Sequence, residues 1–436
     1  MPGGTRPADA AAVTAAYPTS PPRPSRGVEV LIVGAGVIGL TIALRLADEG
    51  RRVVLIDPEP PGSGASYGNA GTIADYATAP VGTPQVLRDL PRLLTDRHSP
   101  LSIHRPSLVS LVPWLVRFLH QSLPGRAAAN AAALAALLAD AGPLWTDLAA
   151  RVGAGALLQD RGCLYLYATP AEADAAAPGL AARRALGVAV DQIDAAALAT
   201  LEPGLPPMPG GAAHFRNAQF ITDPGAMMAA LTRAAGQAGV EVMRGRVTHL
   251  ERTAVGVVVK GPGLLRTARS VVVAAGARSR ALARIAGDKV PLDTERGYHL
   301  EWDMGQPPLT RPACPVARGF YLCPMAGRLR VAGTVELGGL DAPPSPHRLA
   351  RLAEGARQMF PDLGTPDRTW MGLRPSMPDS LPVIGPSKGG AQVIHAFGHG
   401  HIGLTLAPRT AAFVADLIAG RDPGPAITPC LPTRFR

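Results

Sequence analysis

The chain alternates between short, uninterrupted apolar runs and longer stretches of helical periodicity. Glu29–Val33 (EVLIV) and Val53–Ile56 (VVLI) are rich in β-branched residues, the profile of strands covered on both faces. Between them an amphipathic segment runs to about Glu49 and stops at Gly50. Residues 85–150 read mostly as helix, most clearly over Ala127–Ala150, and Gly162–Ala168 (GCLYLYA) alternates as a strand does. Helix and loop return over Ala171–Leu205. A second strand–helix segment begins near Asp223, an N-cap candidate with Pro224 at the first helical position, and its helix reaches about Gly239. Strands are predicted at Glu241–Met243, Val247–Arg252, Val255–Lys260 and Ser270–Ala275, then within RGYHLEW (296–302), GFYLCPM (319–325) and RLRVAGTVE (328–336). A helix at Arg348–Phe360, the strand VIHAF (393–397) and a final helix at Thr405–Ala419 complete the pattern, without internal repeats.

The first strand–helix–strand unit carries chemistry. Gly34, Gly36 and Gly39 form GxGxxG at the strand-to-helix turn. The first permits the tight turn, the second leaves room for a pyrophosphate, and the third lets the helix pack close to the sheet. The helix start, with the amides of Val37 and Ile38, presents its positive end to an anion. Asp57 ends the second strand 18 residues beyond Gly39, placed to accept hydrogen bonds from a ribose diol. In this order the features indicate dinucleotide binding. The loop that follows contains Ser66, Gly68, Asn69, Ala70, Gly71 and Thr72, small residues suited to a backbone lying flat against a ligand. Taken alone, that stretch also reads as an ordinary surface loop.

Composition narrows the class. At 436 residues the chain can hold about two or three domains, and 47% hydrophobic content with 17% charged residues is that of a globular protein. The formal charge of +10 comes almost entirely from arginine, since only Lys260, Lys289 and Lys388 are lysines. No basic run interleaves with aromatics, which argues against nucleic acid and leaves contact with anionic substrates or membrane surfaces open. Cys163, Cys314, Cys323 and Cys430 form no CxxC pair, so neither a zinc site nor a redox disulfide is expected, and a reducing, cytoplasmic setting fits. Residues 1–26 have the composition of a disordered tail rather than a signal peptide. The most apolar later stretch, Leu108–Leu119, contains Pro113 and Arg117 and is too short to span a bilayer. At most a peripheral contact with the inner face of the membrane is expected.

Seven segments together resemble one family, the D-amino-acid-oxidase-like FAD-dependent oxidoreductases, and within it the D-amino-acid dehydrogenase branch. They are VGAGVIG (33–39), SYGNAG (66–71), VVVAAGARS (271–279), RGYHLEW (296–302), RVAGTVE (330–336), GLRPSMPDSLPVIG (372–385) and GHGHIGLTLAP (398–408). The resemblance runs from about residue 28 to 420. It implies an α/β, Rossmann-like FAD-binding domain in three pieces (27–100, 211–290 and 370–436) and an antiparallel-sheet substrate domain in two (101–210 and 291–369). The family acid that binds ribose is often Glu, whereas Asp57 here reaches one methylene less far. No Cys lies between Arg374 and Thr405, where the sarcosine oxidases attach their flavin, so the resemblance implies non-covalent FAD.

The same resemblance assigns roles. Gly400, His401, Ile402, Gly403 and Leu404 would bring amides and a helix start to the flavin's pyrimidine edge, stabilising the charge that develops on reduction. Val247, Ala275 and Gly276 would complete the cofactor contacts. His395, His399 and His401 suggest a metal only superficially, since no carboxylate or thiol is near in sequence, and none is expected. Arg374, in GLRP, would clamp a substrate carboxylate, for which a planar guanidinium suits better than lysine; an ion pair with Asp379 is the structural alternative. Tyr321 would also reach the carboxylate, unless it is core. Tyr298 and His299 point to opposite faces of their strand, and Tyr298 is expected to face the ligand. The reaction implied moves a hydride equivalent from Cα of a D-amino acid, or of a cyclic imino acid such as a D-proline derivative, to flavin N5. Electrons then pass to a quinone or to oxygen. Positioning matters more here than a strong protein base, so no general base is named. A sarcosine- or glycine-oxidase-like amine oxidase and a flavin-binding subunit without turnover are the alternatives.

Overall fold

In the computed structural model the uninterrupted apolar strands lie side by side. The structure describes residues 28–95 and 101–435, so the expected tail falls outside it. Five parallel strands, Glu241–Arg244, Val53–Asp57, Val28–Val33, Leu264–Val273 and Gly390–Phe397, form the heart of an eight-stranded sheet. Val383–Ser387, Gly256–Gly261 and His249–Thr253 extend it in antiparallel pairing. Alternate residues of one strand feed two cores, which is why its sequence shows no polar interruption. Val30 and Ile32 face helices Val37–Asp48, Pro224–Gln237 and Gly403–Ala419, whereas Leu31 and Val33 pack with Val257, Val271 and Leu282. The second helix is capped as its sequence predicts, Asp223 Oδ1 accepting from Ala226 N–H at 2.9 Å with Pro224 next in line.

A nine-stranded sheet stands beside the first, in the order Arg368–Ser376, Asp293–Asp303, Arg328–Leu337, Phe320–Met325, Ala313–Pro315, Cys163–Leu166, Ala212–Phe215 and Val190–Ile193, with Leu101–Ile103 added along Arg328–Leu337. Most neighbours are antiparallel, and helix Pro346–Met359 covers one face through Leu352, Ala356 and Met359. A small sheet, Thr72–Ile73, Gln219–Ile221 and Leu158–Gln159, links the two halves.

Segment boundaries depart from the expected ones in three places. Ala212–Phe215 pairs with Cys163–Leu166 in the nine-stranded sheet rather than opening the second cofactor segment at 211. Arg368–Ser376 pairs along its whole length with Asp293–Asp303, so the nine-stranded sheet runs past 369, where the expected segment ended. Helices Pro124–Leu138 and Ala141–Arg151 bury Leu134, Leu137 and Trp145 in the core of the eight-stranded sheet, although they lie within 101–210. An apolar helical stripe fits either sheet, so its periodicity does not reveal which one it covers.

Candidate functional site

At the first turn the three glycines meet three different constraints. Gly34 has φ of 110°, and an added Cβ would lie 2.3 Å from the Ala274 carbonyl oxygen, where only glycine fits. At Gly39 an added Cβ would lie 1.8 Å from the Gly34 carbonyl oxygen, so helix and strand touch through backbone. At Gly36 it would meet only the Ser66 hydroxyl, at 3.3 Å. The protein's own packing therefore demands glycine at 34 and 39 and leaves a space at 36. Val37 N–H donates to Ser66 Oγ at 2.9 Å, bringing the 66–72 loop to a helix start whose amides lack intrahelical partners. Val37 is buried, and Ile38 packs against the same core.

Asp57 closes this end. Its Oδ2 accepts from Ala35 N–H at 2.7 Å and its Oδ1 from Glu59 N–H at 2.9 Å. Burial raises its pKa against the opposing pull of those amides, and the charge of Arg246 also favours the carboxylate. Val247 follows Arg246, near the same edge, because Gly245 N–H donates to the Asp57 carbonyl at 3.0 Å. Ala275 and Gly276 lie just past strand Leu264–Val273, on the other side of the glycine turn.

The loop itself is fastened to the nine-stranded sheet. Asn69 Oδ1 accepts from Gly71 N–H at 2.8 Å, closing a local turn beside the half-buried Ala70. The Gly68 carbonyl accepts from His299 Nδ1–H at 3.1 Å, which fixes the tautomer because a carbonyl only accepts. Arg330 donates to the Tyr67 carbonyl at 3.2 Å. Arg330 is in turn held by Glu301, 2.7 Å away, which also binds Arg328 and Arg368 at 2.9 Å each. Burial would raise the Glu301 carboxyl, but these arginines outweigh it and hold it at about 2. Burial, with the nearby Arg330 charge, pushes His299 down to about 4, so it is neutral, and its ring stacks on Trp370 at 5.0 Å. Thr72 Oγ1 is buried here without a protein partner.

Strand pairing gathers the remaining candidates on one sheet face. Glu295, Gly297 and His299 lie opposite Arg374, Gly372 and Trp370, and His299 also lies opposite Ala332, which pairs with Tyr321. Directly opposed residues share a face. Arg374, His299 and Tyr321 are thus together, and Tyr298 is not. The expectation for Tyr298 is corrected: its hydroxyl binds Glu336 and accepts from Ser345 N–H at 3.1 Å, within the core under helix Pro346–Met359. The alternation placed one of the pair on each face, and the apolar neighbours Leu300 and Trp302 took Tyr298 with them.

Arg374 lies over Gly297, where an added Cβ would fall 2.4 Å from its Nη2. It donates to the Thr334 carbonyl at 3.2 Å. Thr334 has φ of 59°, costly for a β-branched residue, at a bulge in the pairing, and its hydroxyl is buried without a partner. Among the described residues no carboxylate lies within 4.0 Å of Arg374; Asp379 is bound to Arg434 at 2.8 Å instead. Burial lowers the Arg374 pKa, the nearby Glu295 opposes that, and Glu295 itself is raised by burial.

Tyr321 Oη lies 3.1 Å from that of Tyr165 and 3.4 Å from that of Tyr76, and burial pushes its pKa well up, so it stays protonated. Above the Arg374 strand stands the turn Gly400–Ile402, with an added Cβ at Gly400 3.8 Å from Ser376 Oγ. His401 is exposed at this turn, and its crowded setting together with the Arg374 charge lowers its pKa, which keeps the ring neutral at neutral pH. Gly403 opens the helix, while Ile402 and Leu404 point their side chains into the core and can offer only backbone; the Leu404 carbonyl already accepts from Trp145 Nε1–H at 2.9 Å. The other histidines serve the fold, His395 bound to Asp288 and His399 to Thr410, each at 2.9 Å. No metal-binding cluster occurs among the described residues. The sequence reading missed Glu301, Arg330, Trp370 and Thr334, although RGYHLEW and RVAGTVE contain three of them.

Residues 29–417 match the family described as FAD dependent oxidoreductase. A D-amino-acid oxidase of Bradyrhizobium diazoefficiens is 37% identical over 424 residues, 94% of this chain and 99% of that protein. A D-amino acid dehydrogenase of Dechloromonas aromatica is 31% identical, over 91% of this chain and 98% of its own length. Among solved structures, glycine oxidase from Geobacillus kaustophilus matches with a TM-score of 0.75 at 25% identity, covering 94% of this chain and 99% of the other. The residues present fit FAD: an open space at Gly36, an Asp57 oriented beside the same turn, and an unpartnered Thr72 hydroxyl at the end of the loop that follows. The chain belongs to the FAD-dependent oxidoreductase family.

Proposed function

We propose that this flavoenzyme oxidatively deaminates a D-amino acid, with Arg374 clamping the substrate carboxylate. The observation that carries the reading is a half-buried guanidinium, on the sheet face it shares with Tyr321, with no carboxylate within 4.0 Å among the described residues. Glu295 is near but makes no ion pair with this guanidinium, and a bound carboxylate supplies the bidentate partner that it lacks. FAD, when bound, supplies the acceptor for the hydride equivalent leaving Cα. The chain's own groups hold the substrate: Arg374 grips one end, the Tyr321 phenol offers a hydrogen bond from the same face, and neutral His401 adds no second positive charge. The imine product hydrolyses in water. The D configuration rests on the relatives named above, which share more than nine-tenths of the chain with it. Electrons pass on to a quinone or to oxygen.

The purified protein is expected to be yellow and to release FAD on denaturation. Anaerobic bleaching of the flavin by D-amino acids, cyclic imino acids and N-methyl amino acids tests the substrate class. Rapid bleaching by D-amino acids, with decarboxylated amines inert, supports the reading; equal bleaching by both sinks it. Peroxide release in air, set against reduction of a quinone analogue, identifies the acceptor.

A further inference from the structure

Six of the eleven large apolar side chains left exposed among the described residues fall within one stretch: Leu108, Val109, Val112, Val116, Leu119 and Leu123. Five belong to helix Leu108–Gln121. At about 100° per residue they fill a single sector about 100° wide, and Leu123 continues it past the helix end. Leu111 and Trp114 leave the opposite side of the helix to pack with Leu337, and Trp114 Nε1–H donates to the Ser376 carbonyl at 3.3 Å. The helix thus buries one apolar face and keeps a second uncovered, with Val109 85% and Val116 60% exposed. Val81, also exposed, adjoins it, because Gly82 packs against Ser122 and Phe118. A contiguous patch of this kind on a folded chain marks a contact surface.

The border of the patch is basic. Arg117, His120, Arg126, Lys289 and Arg434 line a groove of about 310 Å³. The one carboxylate in it, Asp379, already pairs with Arg434. We propose that this helix docks the enzyme on an anionic phospholipid bilayer, its apolar stripe entering the headgroup boundary and the basic groove receiving lipid phosphates. Fourteen residues span about 21 Å as a helix, short of the roughly 30 Å hydrocarbon core, and Arg117 interrupts the segment, so it lies in the surface plane. Two other helical stretches, Pro124–Arg151 and Gly400–Ala419, are long and apolar enough to cross a bilayer, but they supply Leu134, Trp145, Leu406 and Phe413 to the core. A second copy of the chain is a poorer occupant, since a two-fold contact through this patch would bring like basic borders together.

The test is sedimentation of the FAD-loaded enzyme with vesicles of phosphatidylcholine alone and of phosphatidylcholine mixed with phosphatidylglycerol. Binding is expected only to the mixed vesicles and should weaken with salt. Val109→Asp/Val116→Asp should reduce partitioning roughly tenfold or more. Arg117→Glu/Arg126→Glu should do the same and flatten the salt dependence. Turnover in solution should match wild type in both variants. Failure of the wild-type holoenzyme to bind mixed vesicles at low salt overturns the proposal. So does binding that survives the double aspartate change, which would reduce it to charge attraction. A concentration-dependent dimer abolished by Val109→Asp/Val116→Asp, without vesicle binding, would assign the patch to a second copy instead.

Discussion

At the eight-stranded sheet the demanding positions are glycines, and what they present is backbone. At the nine-stranded sheet they are Arg374, Glu301, Arg330 and Tyr321, side chains drawn from four strands onto one face. Backbone recognition requires missing side chains at the spacing of one helical turn, so Gly34, Gly36 and Gly39 form a compact signature. Side-chain recognition requires only that each strand alternate correctly, and the partners stand anywhere in the chain. One end is therefore rigid through contact and the other through charge.

The sharpest break between the two kinds of position is within the glycines themselves. Gly39→Ala should prevent stable folding, because backbone opposes the new methyl and cannot yield; overpacking of this kind costs about 3 kcal/mol or more. Gly36→Val should leave a folded apoprotein with little FAD, read by thermal melting and flavin absorbance. Wild-type flavin content in the second variant would remove the cofactor from this turn.

Arg374→Leu comes next in size. A charge-assisted carboxylate clamp is worth about 1.5–3 kcal/mol, or roughly ten- to a few-hundred-fold in kcat/KM, with flavin content unchanged. Lysine should rescue only in part, having charge without the fork. If the amino acid and its decarboxylated amine slow equally, Arg374 is structural.

Glu301→Gln probes the charged side of the comparison. Its carboxyl sits at about 2 in the folded chain against an ordinary 4.5, so the stability it contributes is present above about pH 4.5 and is lost as pH falls through 2. That contribution is roughly 3 kcal/mol. The variant should melt earlier at neutral pH, and the gap from wild type should close in acid. A gap that persists at pH 2 would mean packing, not charge, holds the three arginines.

The smallest effect is expected at Thr334. Glycine adopts its positive φ without strain and removes a buried hydroxyl that lacks a partner, so Thr334→Gly should leave stability unchanged or raise it by up to about 1 kcal/mol. The freed carbonyl should hold Arg374 less firmly and raise KM a few-fold with kcat little changed. An unchanged KM would show that the strained turn has no part in aiming the guanidinium.

Much of the fold was legible because strands buried on both faces, such as Glu29–Val33, cannot carry polar residues, and because Asp223–Pro224 announces a helix start chemically. The assignment of strands to sheets was not, since pairing partners like Ala212–Phe215 and Cys163–Leu166 carry no local mark of each other. At the site, GLRP stood out as a motif, but the choice between Tyr298 and His299 depended on which face of the strand the apolar core would claim. That was decided by Leu300 and Trp302, two and four residues beyond Tyr298, together with the helix that covers them. Glu301 was read only as part of a motif, because its importance lies in gathering Arg328, Arg330 and Arg368, which no spacing reveals.

Helix Gly403–Ala419 covers the same core as Val37–Asp48, with Thr41 Oγ1–H reaching the Ala407 carbonyl across 366 residues of chain. Contacts so distant in sequence make for slow folding, because loop closure precedes their reward. In a growing polypeptide the glycine turn emerges long before helix Gly403–Ala419, so the apolar flank of Val37–Asp48 stays uncovered in the interval. That interval is when the chain most depends on protection from aggregation.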